Sequence, residues 1–305
     1  MNTNSLKPDP HTIPLYMYFS LEGAKCFLQS HSLKLSNPIQ CNDPFECQIN
    51  KESDIVKDNR ITYGEHVILY QTRKELGKNK IGCFTTKPNN ILMWAHYAQY
   101  NKGVCIEFDP RLDTIVFDVN LYYVKYENDF AQIDDKHGKY DTYDVMLTKS
   151  PLWDYEEEIR LIKERRDNRF IELNPLAIRS IILGCQSENF DLGDKDRIKS
   201  LKKIIALLKR KENEHITIKQ IQLSDDSFDM FVADATFVFW KGCRKYKIIS
   251  LHDQKLRISQ QTNEGYKIVK QQDMHKWDEV LVSLTKGNYF IESSLYPSCI
   301  HLDID

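Results

Sequence analysis

Hydrophobic residues recur with the periods of strands and of helices over most of the chain. Runs of aromatic and aliphatic residues predict strands at 15–19, 80–86 and 103–109. The spacing of apolar positions predicts one helix over 89–103 and an amphipathic helix over 190–212. Because strands and helices do not alternate regularly, we expect an α+β fold in which flanking helices cover a mixed or antiparallel sheet core.

The pattern changes after residue 230. Short runs such as YKIISL, EVLVSL and NYFIES read as strands, and polar turns separate them. We therefore expect two units. The first is an α+β domain over residues 1–230 that carries the active site, and the second is a small β-rich C-terminal segment over residues 231–305.

Local signals indicate how some of these elements end. Asn89 or Asn90 is placed to cap the helix over 89–103, and Gly103 is expected to end it in the left-handed conformation. Residues 157–173, where EEIRLIK is followed by RFIEL, fit a β-hairpin.

The segment WDYEEEIRLI, residues 153–162, places three consecutive glutamates in what reads as a strand. The two-residue period of a strand puts Glu156, Glu158 and Arg160 on one face, together with Asp154. If this face meets solvent, its charges protect an edge strand. If it forms the floor of a cleft, Arg160 is the charge partner that keeps one glutamate ionised while the other serves as an acceptor.

Polar side chains around the second predicted strand are further candidates for ligand binding. His96 and Tyr97 share one helical face, where a histidine is more often a hydrogen-bonded core residue than a catalyst. Trp94 projects differently and is either a stacking platform or a core residue. Thr85 and Thr86 end the strand, where their hydroxyls bind a ligand or cap the following helix.

The loop NDPFE, residues 42–46, combines hydrogen-bonding side chains with a proline. As a structural element, Asp43 starts a turn that Asn42 fixes. As a functional element, a preorganised loop that bears Asn42, Asp43 and Glu46 can contact a ribose or a base.

Composition narrows the classes of function. Of the 305 residues, 41% are hydrophobic and 28% are charged, which is typical of a globular protein, and the net charge of −2 gives no general attraction to nucleic acids or anionic membranes. No run reaches the roughly 18 apolar residues of a membrane-spanning helix, so we expect no membrane association and a cytoplasmic protein. The stretch over 195–211, with eight basic residues and one acid, is the solvated face of a helix or a phosphate-binding patch.

Common metal and cofactor motifs are missing. The eight cysteines contain no CxxC pair, the nine histidines contain no HExxH, and neither GxGxxG nor a P-loop motif occurs. We therefore predict no metal site, and we expect the cysteines to act as small buried apolar residues.

Several segments, taken in order, resemble a bacterial domain of unknown function. They are LYMYFS, LKLSNPIQCNDPFE, CFTTKPNNILMWAHYAQYNKGVCIEFD, and Lys149 followed by WDYEEEIRLI. They match the motifs N-D-P-F-E, C-F-[ST], M-W-x-H-Y, G-x-C-I-x-F and W-x-x-E-x-E-x-R. The resemblance covers roughly residues 14–225.

The same layout is similar, more remotely, to ADP-ribosyltransferases, including DNA-modifying toxins. This resemblance implies an ADP-ribosyltransferase-like sheet, NAD as co-substrate and a protein or nucleic-acid acceptor in a toxin or anti-phage effector. It implies that Glu158 stabilises an oxocarbenium-like state, that Glu156 orients or deprotonates the acceptor, and that Arg160 meets a phosphate or holds the glutamates. The residues expected to bind NAD are Tyr16, Tyr18, Asn42, Asp43, Glu46, Thr85, Thr86, Trp94, His96 and Tyr97.

One departure from that superfamily concerns the first strand. LYMYF carries neither His nor Arg where the superfamily holds NAD, so another residue makes that contact or the chemistry differs. Two other classes stay open. A metal-dependent nuclease would bind Mg²⁺ through Asp43, Glu107 and Glu156. A non-catalytic sensor module would bind a nucleotide or a partner in the same cleft.

Overall fold

The computed structural model describes most of the chain. The described residues are 7–48, 74–118, 120–131, 141–164, 168–186, 195–235, 237–241, 246–285, 287–294 and 299–304.

Among the described residues, the first part of the chain forms twelve strands, five helices and a helical segment over residues 74–78. The strands are β1 Leu15–Phe19, β2 Ser32–Lys34, β3 Asn79–Thr85, β4 Val104–Phe108, β5 Leu121–Tyr123, β6 Lys125–Tyr126, β7 Thr148–Lys149, β8 Glu158–Glu164, β9 Phe170–Glu172, β10 Ile178–Leu183, β11 Thr217–Leu223 and β12 Met230–Asp234. The helices are α1 Leu21–Ser30, α2 Ile91–Tyr97, α3 Thr114–Phe117, α4 Thr142–Leu147 and α5 Lys195–Leu208.

An eight-stranded sheet organises this part, in the order β12-β11-β10-β4-β1-β3-β8-β5. Neighbouring strands are antiparallel except for β10 and β11, which are parallel. The predicted α+β fold is therefore confirmed, and its sheet is mixed and mostly antiparallel.

The alternation of side chains along β1 separates the two faces of the sheet. Leu15 packs into the main core, which also contains the apolar faces of α1 and α5. Tyr16 and Tyr18 point to the opposite face, where they pack with residues of α2. The amphipathic helices α1 and α5 thus cover one face of the sheet. The cavity described below lies on the other face.

The C-terminal region is rich in β-structure, as predicted. Its strands are β13 Phe237–Lys241, β14 Tyr246–Ser250, β15 Gln254–Thr262, β16 Gly265–Met274, β17 Glu279–Val282, β18 Gly287–Ser293 and β19 Cys299–Ile304. They form one sheet in the order β13-β14-β17 and another in the order β16-β15-β18-β19. Ile249 and Leu251 pack into the main core, while a second core lies between the C-terminal strands. The division at residue 230 stays a prediction.

The predicted hairpin is wrong. Residues 157–173 do not form a hairpin, because β8 pairs with β3 and β5 whereas β9 pairs with β2. The amphipathic helix, predicted over 190–212, is α5 among the described residues. No described helix is both long enough and apolar enough to cross a membrane.

The helix predicted over 89–103 is shorter than expected. Asn90 caps α2 as predicted, since its side chain accepts hydrogen bonds from the backbone of Leu92 and Met93, but the helix ends at Tyr97. Gly103 is not the left-handed residue, because that conformation falls on residues 99–101. Glycine is needed there for another reason, since a Cβ on Gly103 would lie 2.3 Å from the carbonyl oxygen of Phe19.

We expect Gly103→Ala to lower the free energy of unfolding by about 3 kcal/mol, because the added methyl group meets fixed backbone. Gly77→Ala is the matched control, since no atom lies within 4 Å of its added Cβ. Gly77 is helical, so alanine there should raise the free energy of unfolding by up to about 1 kcal/mol. Urea unfolding measures both, and equal effects of the two variants would contradict the packing described here.

Candidate active site

The three glutamates do not lie on one strand. Residues Pro151–Glu156 form a 3₁₀ helix whose first turn is capped by the side chain of Ser150, and Glu157 adopts a left-handed conformation with φ 42°. The strand β8 begins only at Glu158. The prediction of a continuous strand is therefore wrong, and Asp154 is an exposed residue of the 3₁₀ helix. The Ser-Pro pair at 150–151 is a typical helix start, which explains the break.

The left-handed residue separates the glutamates. Glu157 points away and accepts a hydrogen bond of 2.6 Å from the hydroxyl of Thr86, and it also pairs with Lys87. Glu156 and Glu158 turn towards Lys149 instead. The Nζ atom of Lys149 contacts an oxygen of Glu156 and lies 3.1 Å from Oε2 of Glu158.

Arg160 completes a buried network of charges. Its Nε and Nη2 atoms donate to the two oxygens of Glu158 at 2.8 and 3.0 Å. Its Nη1 and Nη2 atoms donate to the two oxygens of Glu46 at 2.6 and 3.1 Å, and Nη1 also contacts the carbonyl oxygen of Met146. Arg160 is 1% exposed, so this double bidentate arrangement is shielded from water. Arg160 thus pairs directly with Glu158, which agrees with the second of the two alternatives that the sequence left open.

The network carries one excess negative charge when every group is ionised. Glu46, Glu156 and Glu158 contribute three negative charges, and Lys149 and Arg160 contribute two positive charges. All five side chains are buried. Buried charges are expensive unless they are paired, so removing either cation leaves an uncompensated cluster of carboxylates.

The two neighbouring glutamates differ in acidity. Burial alone would raise the pKa of the Glu158 carboxyl, but Arg160 and then Lys149 outweigh burial and lower this pKa to about 2. Burial raises the pKa of the Glu156 carboxyl above its ordinary value of 4.5, because the attraction of Lys149 does not compensate fully and the charge of Glu158 adds to the effect. Glu158 is therefore fixed as a carboxylate, and Glu156 is the group that exchanges a proton more easily.

These charges lie at the bottom of a cavity of about 350 Å³. We call its buried charged side chains the floor: Glu46, Lys149, Glu156, Glu158 and Arg160. We call its exposed polar side chains the rim: Lys34, Ser36, Gln40 and Asn42. Three tyrosines also line the cavity: Tyr16, Tyr18 and Tyr97.

A chain of hydrogen bonds connects the rim with the floor. Asn42 donates from Nδ2 to the hydroxyl oxygen of Tyr97 at 2.9 Å. The Tyr97 hydroxyl in turn donates to Oε1 of Glu156 at 2.7 Å. Burial, followed by the charge of Glu156, raises the pKa of Tyr97 and keeps it protonated as a donor. Asn42 and Tyr97, both predicted from sequence, thus come together at the site.

The NDPFE loop is held in place on both sides of its exposed phenylalanine. Asp43 is buried and accepts a hydrogen bond of 2.8 Å from the backbone N–H of Phe45, as expected of a turn residue. Glu46 is fixed by Arg160. Asp43 therefore supports the loop and does not line the cavity, whereas Glu46 belongs to the floor.

Tyr16 and Tyr18 reach the cavity from β1, as the sequence suggested. Burial raises the pKa of Tyr16 to about 12, and the charge of Glu107 adds to this. The Tyr18 hydroxyl donates to the carbonyl oxygen of Lys87 at 3.0 Å. The ring of Tyr18 meets the ring of Trp94 edge-on, with centroids 5.1 Å apart.

Besides Asp43, four of the predicted binding residues do not line the cavity. Trp94 is fully buried and donates from Nε1 to the carbonyl oxygen of Pro88 at 2.8 Å, so it is a core residue and not a stacking platform. His96 is exposed on α2. Thr85 accepts from the backbone N–H of Lys87 at 3.1 Å, and Thr86 is bonded to Glu157. The basic stretch over 195–211 lies with α5 on the opposite face of the sheet.

The residues proposed as Mg²⁺ ligands do not come together. Glu107 accepts from Lys219 at 2.8 Å and from the hydroxyl of Ser180, while Asp43 caps its own turn. Among the described residues, no group of three or more His, Cys, Asp or Glu side chains is arranged to hold a metal ion. The proposed set of nuclease ligands is therefore wrong.

Sequence reasoning did not assign a role at the site to several residues of the cavity, among them Lys149 and Cys83. Lys149 was identified only as the residue before WDYEEEIRLI. Its role follows from charge, because three carboxylates that share a buried site need more than one cation. Cys83 lies opposite Arg160 across the β3–β8 ladder, and its side chain opens into the cavity. The surrounding protein desolvates its thiol and raises the pKa well above the ordinary value.

Fold and site together define an α+β protein with a network of buried charges at the bottom of a cavity. Residues 93–161 match the model of a family described as a protein of unknown function (DUF2971). This segment contains five residues of the site: Tyr97, Lys149, Glu156, Glu158 and Arg160. No curated protein and no solved structure matches the chain.

We expect Arg160→Met to lower the free energy of unfolding by about 3 to 5 kcal/mol, because two buried carboxylates lose their counter-ion. Arg111→Met is the matched control, since Arg111 makes the same bidentate contact with Asp109, at 2.8 Å for both bonds, but is mostly exposed. Its effect should stay within about 1 kcal/mol. Chemical unfolding at neutral pH measures both variants, and a mild effect of Arg160→Met would mean that the network is not essential.

Proposed function

We propose that this protein is an ADP-ribosyltransferase-like enzyme that breaks the bond between nicotinamide and ribose in NAD. The observation that carries the proposal is the pair of carboxylates at the floor, which share Lys149 but differ in acidity. The C-F-[ST] strand followed by an aromatic helix, which is similar to DNA-modifying toxins, extends the proposal to a bacterial toxin or anti-phage effector that modifies a macromolecule.

The charge of the floor suits a reaction that develops positive charge. Cleavage of a glycosidic bond passes through an oxocarbenium-like transition state. The floor has an excess negative charge and is shielded from water, so it stabilises such a cation more strongly than bulk solvent does. Glu158 is the main contributor, because its low pKa of about 2 keeps it ionised at any physiological pH.

The two glutamates divide the work between them. Pairs of acidic groups whose pKa values are pushed apart are typical of active sites in which one group acts electrostatically and the other moves a proton. Glu156, with its raised pKa, is the group that accepts a proton from the acceptor. Tyr97 donates to Glu156 and fixes the orientation of its carboxylate.

The cavity fits part of NAD. Its volume of about 350 Å³ lies near the lower end of the range of about 300 to 1,000 Å³ for small-molecule sites, so we expect it to hold the nicotinamide ribose half. Tyr16, Tyr18 and Tyr97 offer aromatic surface to the nicotinamide ring. The remainder of the dinucleotide would cross the rim.

A nucleotide-binding module without catalysis is the second candidate. The observation in its favour is the saturation of Glu158, which accepts three hydrogen bonds from Arg160 and Lys149. A carboxylate has about four acceptor positions, and a hydrogen bond from the thiol of Cys83 also contributes to the low pKa of Glu158, so no acceptor position is clearly left for a substrate. This candidate would bind NAD and leave it intact.

We expect purified protein to release nicotinamide from NAD in the presence of a bacterial lysate, and Glu158→Gln to lower the rate by at least about 100-fold. The loss follows because glutamine removes the charge that stabilises the transition state. Glu157→Gln is the matched control, since its side chain points to Thr86 and Lys87, away from the cavity.

Thermal unfolding of both variants shows whether they are folded. Release that continues unchanged in a folded Glu158→Gln variant would contradict the proposed function. NAD binding without any release by the wild-type protein would favour the second candidate.

A further inference from the structure

We infer that the rim of the cavity contains a phosphate-binding site around Lys34, and that this site holds the diphosphate of a dinucleotide such as NAD. The inference deepens the proposed function and rests on it for the identity of the ligand. It assigns the contact that the first strand cannot make, because β1 carries no cationic side chain.

The alternation of side chains after α1 directs Lys34 to the cavity. Leu33 and Leu35 are buried in the main core, whereas Lys34 and Ser36 are exposed and line the cavity. The segment is fixed at this point, because Ser36 and Ile81 exchange two backbone hydrogen bonds of 2.7 and 2.9 Å. The position of Lys34 is therefore set by the sheet and not by a free loop.

With respect to the described residues, Lys34 is available for a ligand. Three cationic side chains line the cavity, and two of them, Lys149 and Arg160, are bound to the carboxylates of the floor. Lys34 forms no ion pair with any residue in the described part of the chain. A ligand that enters the cavity therefore meets the Lys34 charge without competition from a described acid.

A second cation lies beside the rim. Arg169 is exposed and donates from Nη2 to Oε1 of Gln40 at 3.5 Å, and its carbonyl oxygen accepts from the backbone N–H of Leu35 at 2.6 Å. Ser36 and Gln40 add neutral donors between the two cations. A lysine and an arginine with neighbouring hydroxyl and amide donors are the groups that bind phosphate oxygens in proteins.

The cavity thus has two poles. The floor has one excess negative charge when all its groups are ionised, whereas the rim contains Lys34 and has Arg169 beside it. This distribution complements a ligand with a cationic ring at one end and an anionic diphosphate at the other, which is the charge pattern of NAD. A simple anion would be attracted by the rim but repelled by the floor.

The test is the dissociation constant of NAD, measured by calorimetry on the full chain. We expect Lys34→Ala to weaken NAD binding about tenfold, the effect of losing one hydrogen bond to a charged group. Lys34→Arg should bind nearly as well as the wild-type protein, because it keeps the charge. Lys267→Ala, which removes an exposed lysine from β16, is the matched control and should change nothing. Added salt should weaken NAD binding by the wild-type protein more than it weakens NAD binding by the Lys34→Ala variant.

Each outcome bears on one of the two proposals. Unchanged NAD binding by Lys34→Ala would overturn the phosphate site and leave the proposed function standing. The same conclusion would follow if Lys34→Arg lost as much NAD affinity as Lys34→Ala. Binding of ADP-ribose that depends on Lys34, without nicotinamide release from NAD, would support the phosphate site and overturn the proposed function. A wild-type protein that binds neither NAD nor ADP-ribose would overturn both.

Discussion

The contact on which the site depends is the double bidentate pairing of Arg160 with Glu46 and Glu158. It joins the NDPFE loop to strand β8 across 114 positions of sequence, and it does so below the surface. Because each carboxylate would be costly to bury alone, the loop, the strand and the guanidinium are stable only together. The same contact fixes the floor of the cavity and the protonation state of Glu158.

Lys149 makes this buried ion pair part of a site that can carry out chemistry. It is shared by Glu156 and Glu158, so it cannot neutralise both, and Arg160 assists only one of them. The result is an ionised Glu158 next to a Glu156 of raised pKa, at the floor of a cavity lined by tyrosines. A site with these properties favours the development of positive charge and the acceptance of one proton, which is the basis of the proposed cleavage of NAD.

Much of the fold followed from periodicity, and part of the site followed from residue types. The strands near 15–19 and 103–109, the amphipathic α5 and the pairing of Glu158 with Arg160 were predictable, because each depends on local spacing. The Glu46–Arg160 pair was not predictable, since it depends on a contact distant in sequence.

The prediction of a continuous strand through the three glutamates was wrong for a different reason. The apolar and charged alternation suggested a strand, but the Ser-Pro start at 150–151 favours a helical turn, and the left-handed Glu157 ends that turn before β8 begins. The period of a strand does not reveal this break, although Glu156 and Glu158 still contact the same lysine. Trp94, which the sequence left as a stacking platform or a core residue, is a core residue, and sequence spacing does not show that its ring is enclosed.

The most direct measurement is an NMR titration of the side-chain carboxyls of Glu156 and Glu158 in ¹³C-labelled protein, assigned with the two Glu→Gln variants. The account predicts that Glu158 stays ionised as the pH falls well below 4.5, towards about 2, or until the protein unfolds. It predicts that Glu156 takes up a proton above pH 4.5. Two carboxyls that titrate together near the ordinary value, or in the reverse order, would contradict the division of roles on which the proposed function rests.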